Sequence, residues 1–559
     1  MSKIVSLAVA CLFLLVGLCG CNLNNSVGEL PQPQVLYSAD VLKISMKNVT
    51  ALDPAYVSTS EEIMLCRLIF SGLLKSGSQG LEPDLAERWE ISADGKRITF
   101  FLNPEAKFHN GNPVTAADVR FSWERALRIG APSSYLFKNI VGALEVASGE
   151  TRTLSGVEVY DDRLVVNLIQ PQESFLSWLA APGAFVLQRN ELVEQGNNFA
   201  RPSELFKSYA LPSGSGPLRL SEWIDGRSIA LTVFSGYHGE AFPYRRCEVS
   251  LKLLTEDAVL KMEAADMDIV YRVSASELPL GRQYSELQLI NEPQRSFTYV
   301  VLNPNWSYVI DDTNSKNQPI QVFPFAEAGV RCAVLGMIYT AEMLAVASDG
   351  LGRLINNITE EWYNVKSQTL ADYLNGQDNP LHTNERVSQS AALSLLAEFD
   401  YPNGMALPVL PLFCDSSAES FLLAQKMQEV LLEIGIETQL NQLSSADFLR
   451  AQASGTAAIY VGCFSDLGGG LELFFARVLD DRNQLAVPAG DWSSRLYEAY
   501  NYAEPNRANE LAVVEQQLLE AGIFKCIYVK QSSLAYSRYK EEMQSLIYKY
   551  ILPFQDENR

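Results

Sequence analysis

Along this chain the spacing of apolar positions shifts repeatedly between the alternation of strands and the longer period of helices. Residues 97–102 (RITFFL) are apolar, β-branched and aromatic, and predict a strand. Residues 115–126 (TAADVRFSWERA) begin on an N-capping Thr115 with Asp118 at the third helical position. Val119, Trp123 and Ala126 then fall on one helical face. Residues 157–168 alternate on both sides of Asp161-Asp162, as a hairpin does. The clearest unit is 416–440. Ser416 and Ser417 offer a cap, and Phe421, Leu422, Leu423, Val430, Leu431 and Ile434 make an apolar face. Gly435 suits a left-handed stop, and IETQL follows as a strand. With the apolar run 407–413 before it, this order predicts a parallel strand–helix–strand crossover. Another helix is expected over 505–522, with Pro505 early and Gly522 just past its end. No internal repeat is visible. The elements predict an α/β chain with mixed sheets and several lobes.

The N-terminus follows a different pattern. After Lys3, residues 4–18 form a largely apolar run of 15 residues. A membrane span needs about 20, so the run reads as a secretory signal peptide. Leu18-Cys19-Gly20-Cys21 resembles the bacterial lipoprotein processing box, which requires a thiol to take the lipid. Cys21 is the expected lipidation site, with 1–20 removed and 21–37 left as a tether rich in Asn and Pro. An uncleaved signal anchor, or a plain signal peptide with a chance Cys, are the alternatives. No later stretch reaches 18 apolar residues.

Of the 559 residues, 47% are hydrophobic, enough for large buried cores and two or three domains. Lys+Arg is 44 against Asp+Glu 66, a net charge of −22 that repels nucleic acid. Three histidines (His109, His238, His382) leave little material for a metal centre. Cys66, Cys247, Cys332, Cys414, Cys463 and Cys526 lie far apart without a C-x-x-C. They are either buried small hydrophobes or disulfide partners. Gly468-Gly469-Gly470 after Asp466 reads as a turn or as a phosphate cradle. Asp161-Asp162 and Asp480-Asp481 read as solvated loops. No nucleotide-binding, nucleophile-elbow or zinc-protease motif is present, so no catalytic residue, metal ligand or cofactor is assigned.

Between residues 52 and 126 the chain resembles a known family. Leu52-Asp53-Pro54-Ala55, IFSGLL (69–74), LEPDLAERWEISADGKRITFFL (81–102) and FHNGNPVTAADVRFSWERA (108–126) are similar to extracellular solute-binding proteins of family 5. Thinner collinear matches are SGSGPLRLSEW (213–223), Met267-Asp268-Ile269, PFAEAGVRCAVLGMI (324–338), LLEIGIETQL (431–440) and the helix from Arg507.

The resemblance implies a type II, cluster C periplasmic binding-protein fold, with two large lobes about a hinge and an inserted third domain. Domain I is expected over 38–74, 211–296 and 524–559, domain II over 75–210 and domain III over 297–523. It further implies a monomeric, non-enzymatic protein, lipid-anchored in the periplasm, that carries short peptides to an ABC permease in the inner membrane.

The residues matching the family's site are Gly462, Cys463, Phe464 and Asp466 on the domain III side. Asp466 would meet a peptide ammonium. Ser58, Thr59 and Ser60 face them from domain I, Tyr135 would cover the ligand, and Gly214 and Gly216 would shape the bend between domains. Their bland readings are loop, turn and packing residues. Cys463 and Leu467 replace larger aromatics, and the glycine run replaces an acidic-Pro step, so a more open floor is expected. Muropeptides, other solutes such as a nickel chelate, haem or an oligosaccharide, and a surface-interaction or hydrolase role remain the alternatives.

Overall fold

Thr115 closes an extended segment and opens a helix, and its surroundings show how local chemistry sets an element. Its hydroxyl accepts from the Asp118 amide at 3.3 Å, and Asp118 Oδ2 accepts from the Thr115 amide at 3.0 Å. Two orphan donors of the helix start are thereby satisfied. The computed structural model describes residues 40–559 apart from 48, 50–51, 58, 78–79, 195–212, 252–254, 274–286, 293–295, 311–319, 339–341, 345–351, 354, 356, 364–386, 405–406, 466–469, 480–491, 502–505, 531, 538–542 and 552–559.

The elements that position the site are, in chain order, β1 (Val41–Met46), α1 (Ser60–Ile69), α2 (Ala116–Arg128), β2 (Ile269–Val273), β3 (Ser296–Leu302), β4 (Leu410–Cys414), α3 (Ala418–Leu432), β5 (Ile459–Ser465), β6 (Phe524–Lys530) and β7 (Ser532–Ser537).

A seven-stranded sheet runs Leu287–Glu292, β7, β2, β1, Arg246–Leu251, Ser228–Val233, Leu218–Ile224. Its centre is parallel, because β1 pairs in parallel with both β2 and Arg246–Leu251. Leu42, Ile44 and Met46 of β1 are buried with Leu65, Leu68 and Ile69 of α1.

A six-stranded sheet runs Gly352–Arg353, β6, β3, β5, β4, Thr438–Gln442. The expected crossover is here. β4 and Thr438–Gln442 are parallel and joined by α3, whose N-cap Ser417 accepts from the Ser420 amide. Gly435 stops the unit at φ +78, where an added Cβ would lie 1.9 Å from Asn403 O. All seven residues of β3 are buried between its antiparallel neighbours β5 and β6. Phe297 and Tyr299 of β3 join Phe464, Phe474 and Phe524 in an aromatic core, with Phe297 and Phe464 centroids 5.2 Å apart. Each such buried ring contributes about 1.5–3 kcal/mol.

The expected strand 97–102 is present and pairs with Ala86–Ile91 and Arg163–Asn167. Val157–Val159 completes this four-stranded sheet as the expected hairpin. Trp123 of α2 is buried behind it and stacks on Phe137 at 5.3 Å.

This inserted body is riveted to the segment before α1. Arg125 grips Asp53 with Nη1–Oδ1 at 3.0 Å and Nη2–Oδ2 at 2.5 Å, both side chains being at most 1% exposed. Removing one partner of so buried a pair costs about 3–5 kcal/mol.

The chain passes between the two large sheets twice. Leu287–Glu292 of the first sheet leads to β3 of the second, and β6 of the second leads to β7 of the first. Residue 524 therefore opens a strand of the second sheet, and the chain rejoins the first at 532. Among the described residues no helix is long and apolar enough to cross a membrane.

Candidate ligand-binding site

In open α/β sheets, ligands sit beyond the carboxyl ends of the parallel strands. Both large sheets offer such an end next to the crossings. Val273, closing β2, lies opposite Ser533 of β7, one residue into the strand after the second crossing. Ser465, closing β5, lies opposite Ser296, the first residue of β3 after the first crossing.

On the first sheet's side, Thr59 caps α1. Its hydroxyl accepts from the Glu62 amide at 3.3 Å, and Glu62 Oε2 accepts from the Thr59 amide at 3.2 Å. Ser60 Oγ accepts from Arg272 Nη1 at 3.2 Å, and Glu61 Oε2 is 3.7 Å from the same nitrogen. Arg272 arrives there through an irregularity. The β2–β7 register breaks between Val270 and Val273, and Arg272 has φ +62. A left-handed non-glycine residue costs about 1–3 kcal/mol and persists only where its surroundings hold it. Sequence reasoning missed Arg272, because nothing in IVYRV announces a bulge.

On the second sheet's side, β5 outruns its neighbour. β4 pairs with β5 only as far as Val461. Asp415, next after β4 and 7% exposed, finishes the edge. Its amide donates to Val461 O at 3.3 Å, and its Oδ2 accepts from the Cys463 amide at 2.7 Å. Successive strand residues turn their backbone groups to opposite sides. Gly462 and Phe464 are therefore turned to β3, and Cys463 alone of the three is turned past the end of β4. The Phe464 ring is buried in the aromatic core. A Cβ on Gly462 would lie 2.8 Å from Tyr299 Oη, so packing alone requires glycine. Asp415 was also missed; its signal was a carboxylate between a strand and a Ser-Ser cap.

Tyr135 lies on the 3-10 turn Pro132–Phe137 and is 9% exposed in the inserted body's core. The Ser133 amide on that turn donates to Ala55 O at 3.4 Å, next to the Asp53–Arg125 rivet. On the far side the body meets the helix Trp492–Asn501, where Trp178 and Tyr500 rings are 5.5 Å apart and edge-on.

Gly214 and Gly216 are elsewhere, at the C-terminal end of α1. The Gly216 amide donates to Ile69 O at 2.9 Å, and a Cβ on Gly214 would lie 2.0 Å from that oxygen. His109 clamps both: Nδ1 is 3.2 Å from the Gly214 amide and Nε2 is 3.0 Å from Gly216 O. Burial brings His109 down to about 4, which keeps it neutral and suited to that bridge. Ten residues of α1, about 15 Å, separate these glycines from Thr59.

The structure thus gathers Thr59 and Ser60 around Arg272 and sets Cys463 against Asp415, while Gly462 and Phe464 face β3. Cys21, Ser58 and Asp466 lie outside the described residues. Among the described residues no disulfide joins Cys66, Cys247, Cys332, Cys414, Cys463 or Cys526. Burial pushes the Cys414 thiol up to about 12 and that of Cys526 well above its usual value, the opposite of a poised nucleophile. Among the described residues no three His, Cys, Asp or Glu side chains stand together as metal ligands.

The model of the bacterial extracellular solute-binding proteins, family 5 (middle part), matches residues 80–474. The chain belongs to this family. Its members are non-catalytic solute-binding proteins. The family-5 chain is 32% identical over 229 residues to the probable D,D-dipeptide-binding periplasmic protein DdpA of Escherichia coli K12, covering 41% of each chain. The chain therefore spans less than half the length of that relative.

Solved structures match over more of the chain and show the fold. The Listeria monocytogenes OppA bound to peptide superposes with a TM-score of 0.67 at 18% identity, covering 90% of this chain and 96% of that one. The Escherichia coli murein tripeptide-binding protein MppA gives 0.66 at 20% identity, covering 90% and 95%. The family-5 chain has the mixed α/β architecture of cluster C periplasmic binding proteins.

Proposed function

We propose that this protein captures short peptides between its two sheet-bearing lobes and delivers them to an ABC permease in the inner membrane. It does so as a monomer tethered in the periplasm by lipid on Cys21. The observation that carries the reading is the outrunning of β4 by β5, which takes β5 past its neighbour beyond the Asp415–Cys463 contact, beside both crossings. An extended peptide laid along a strand edge gains main-chain hydrogen bonds without its side chains being read. Asp466 follows Ser465 directly and takes the role of ammonium anchor. The Ser58-Thr59-Ser60 segment meets the ligand from the first lobe. Tyr135 lies in the inserted body that touches both.

Purified protein is expected to gain thermal stability with peptides of two to five residues. A hundredfold excess over Kd stabilises by about 2.7 kcal/mol. Asp466→Ala is expected to weaken peptides with a free N-terminus far more than N-acetylated ones. Equal losses would remove the ammonium role, and no shift with any peptide would remove the reading. Cell-wall muropeptides are the second reading. It is favoured by the small Cys463 at the floor, and the same assay with muropeptides separates the two.

A further inference from the structure

We infer that Arg272 is a specificity residue that takes a carboxylate of the ligand, on the lobe opposite β5. This deepens the peptide reading above and rests on it.

Four observations converge on Arg272. It stands at the carboxyl end of a central parallel strand, one residue before the one that faces β7 after the second crossing. Its backbone is left-handed at φ +62 within a register break, which turns its side chain out of the β2 alternation. Its guanidinium rests at the start of α1, beside the Thr59-Ser60 segment already placed at the site. Finally, its side chain is not fully buried, being 14% exposed.

The partners also fit a ligand role. Glu61 lies 3.7 Å away, an ion pair longer than the two bonds that lock Arg125 to Asp53 at 2.5 and 3.0 Å. A planar guanidinium carries five donors and serves two carboxylates at once. The first-turn amides of the ten-residue α1 add positive potential at the same spot. Val461 and Tyr460 leave no cation on β5 for a ligand carboxylate, and Arg272 supplies one from the other lobe.

The test compares trialanine with its C-terminal amide, by calorimetry on the full chain. The wild type is expected to prefer the free acid by about ten- to a hundredfold, the range of a charge-assisted hydrogen bond. Arg272→Gln is expected to erase that preference while leaving amide affinity nearly unchanged. Arg272→Gly controls for folding, because glycine adopts φ +62 without strain. Its melting temperature should not fall below that of Arg272→Gln, while the acid preference is lost.

A preference that survives in both variants overturns the inference. Equal wild-type affinity for acid and amide overturns it too, and leaves the peptide reading standing. Binding of neither probe, nor of any peptide of two to five residues, removes the reading and this inference together. Equal losses for acid and amide with a lowered melting temperature would assign Arg272 a purely structural clamp.

Discussion

Burial sets two side chains against each other in their response to pH. His109 is held neutral between Gly214 and Gly216, brought from 6.5 down to about 4 by burial. Its contribution is complete above pH 6.5 and is lost as pH falls toward 4. Glu515 is buried at the start of the helix Ile358–Tyr363, accepting from the Ile358 and Thr359 amides at 2.7 and 2.9 Å, and burial pushes it up to about 7. Its proton is favoured in the folded state, so stability is complete below pH 4.5 and lost as pH rises through 7. Each shift amounts to on the order of 3 kcal/mol at full effect. Glu515→Gln is expected to flatten the loss between pH 4.5 and 7 and to raise stability at pH 8, measured by urea unfolding. His109→Gln is expected to lose the steepening below pH 6.5. Neither behaviour is written in the local sequence, because both depend on partners far along the chain.

At the scale of elements, much was legible where the signal is local. The Thr115–Asp118 capping box, the strand 97–102, the hairpin around Asp161-Asp162 and the β4–α3 crossover all follow from neighbouring residues. What the pattern missed is non-local. The bulge that turns Arg272 exists because β7 pairs with β2, and β7 lies about 260 residues downstream. Residues 524–530 join the second sheet and 532–537 the first, a division set by pairing partners far along the chain. At the candidate site, the resemblance supplied Thr59, Ser60 and the Gly462–Phe464 strand, while Asp415 and Arg272 required the fold. Gly435 gives a test of an element joint. Its φ of +78 and the Asn403 carbonyl leave no room for a Cβ. Gly435→Ala is expected to cost more than the ~1 kcal/mol of a simple left-handed penalty, read as a lowered urea midpoint at unchanged slope.

For the whole molecule, the double crossing ties the two large sheets by two neighbouring strand connections. A junction of this kind bends without breaking either sheet, the geometry of hinge closure. The inserted body braces the arrangement, gripping the first lobe through Asp53–Arg125 and the second through Trp178 and Tyr500. The slot of β7 is the point of weakness. It stands between β2 and Leu287–Glu292, so the latter joins the sheet only through it. A chain ending at residue 531 is expected to expose the edge of β2 and to aggregate, measured by light scattering against the full chain.

That slot also orders events during synthesis. β7 leaves the ribosome nearly 490 residues after β1, yet the two belong to one sheet. Over all of that stretch the growing chain lacks a strand that belongs between two others of this sheet. Late delivery of an interior strand keeps a growing chain open and threadable, the condition that any passage across a membrane demands.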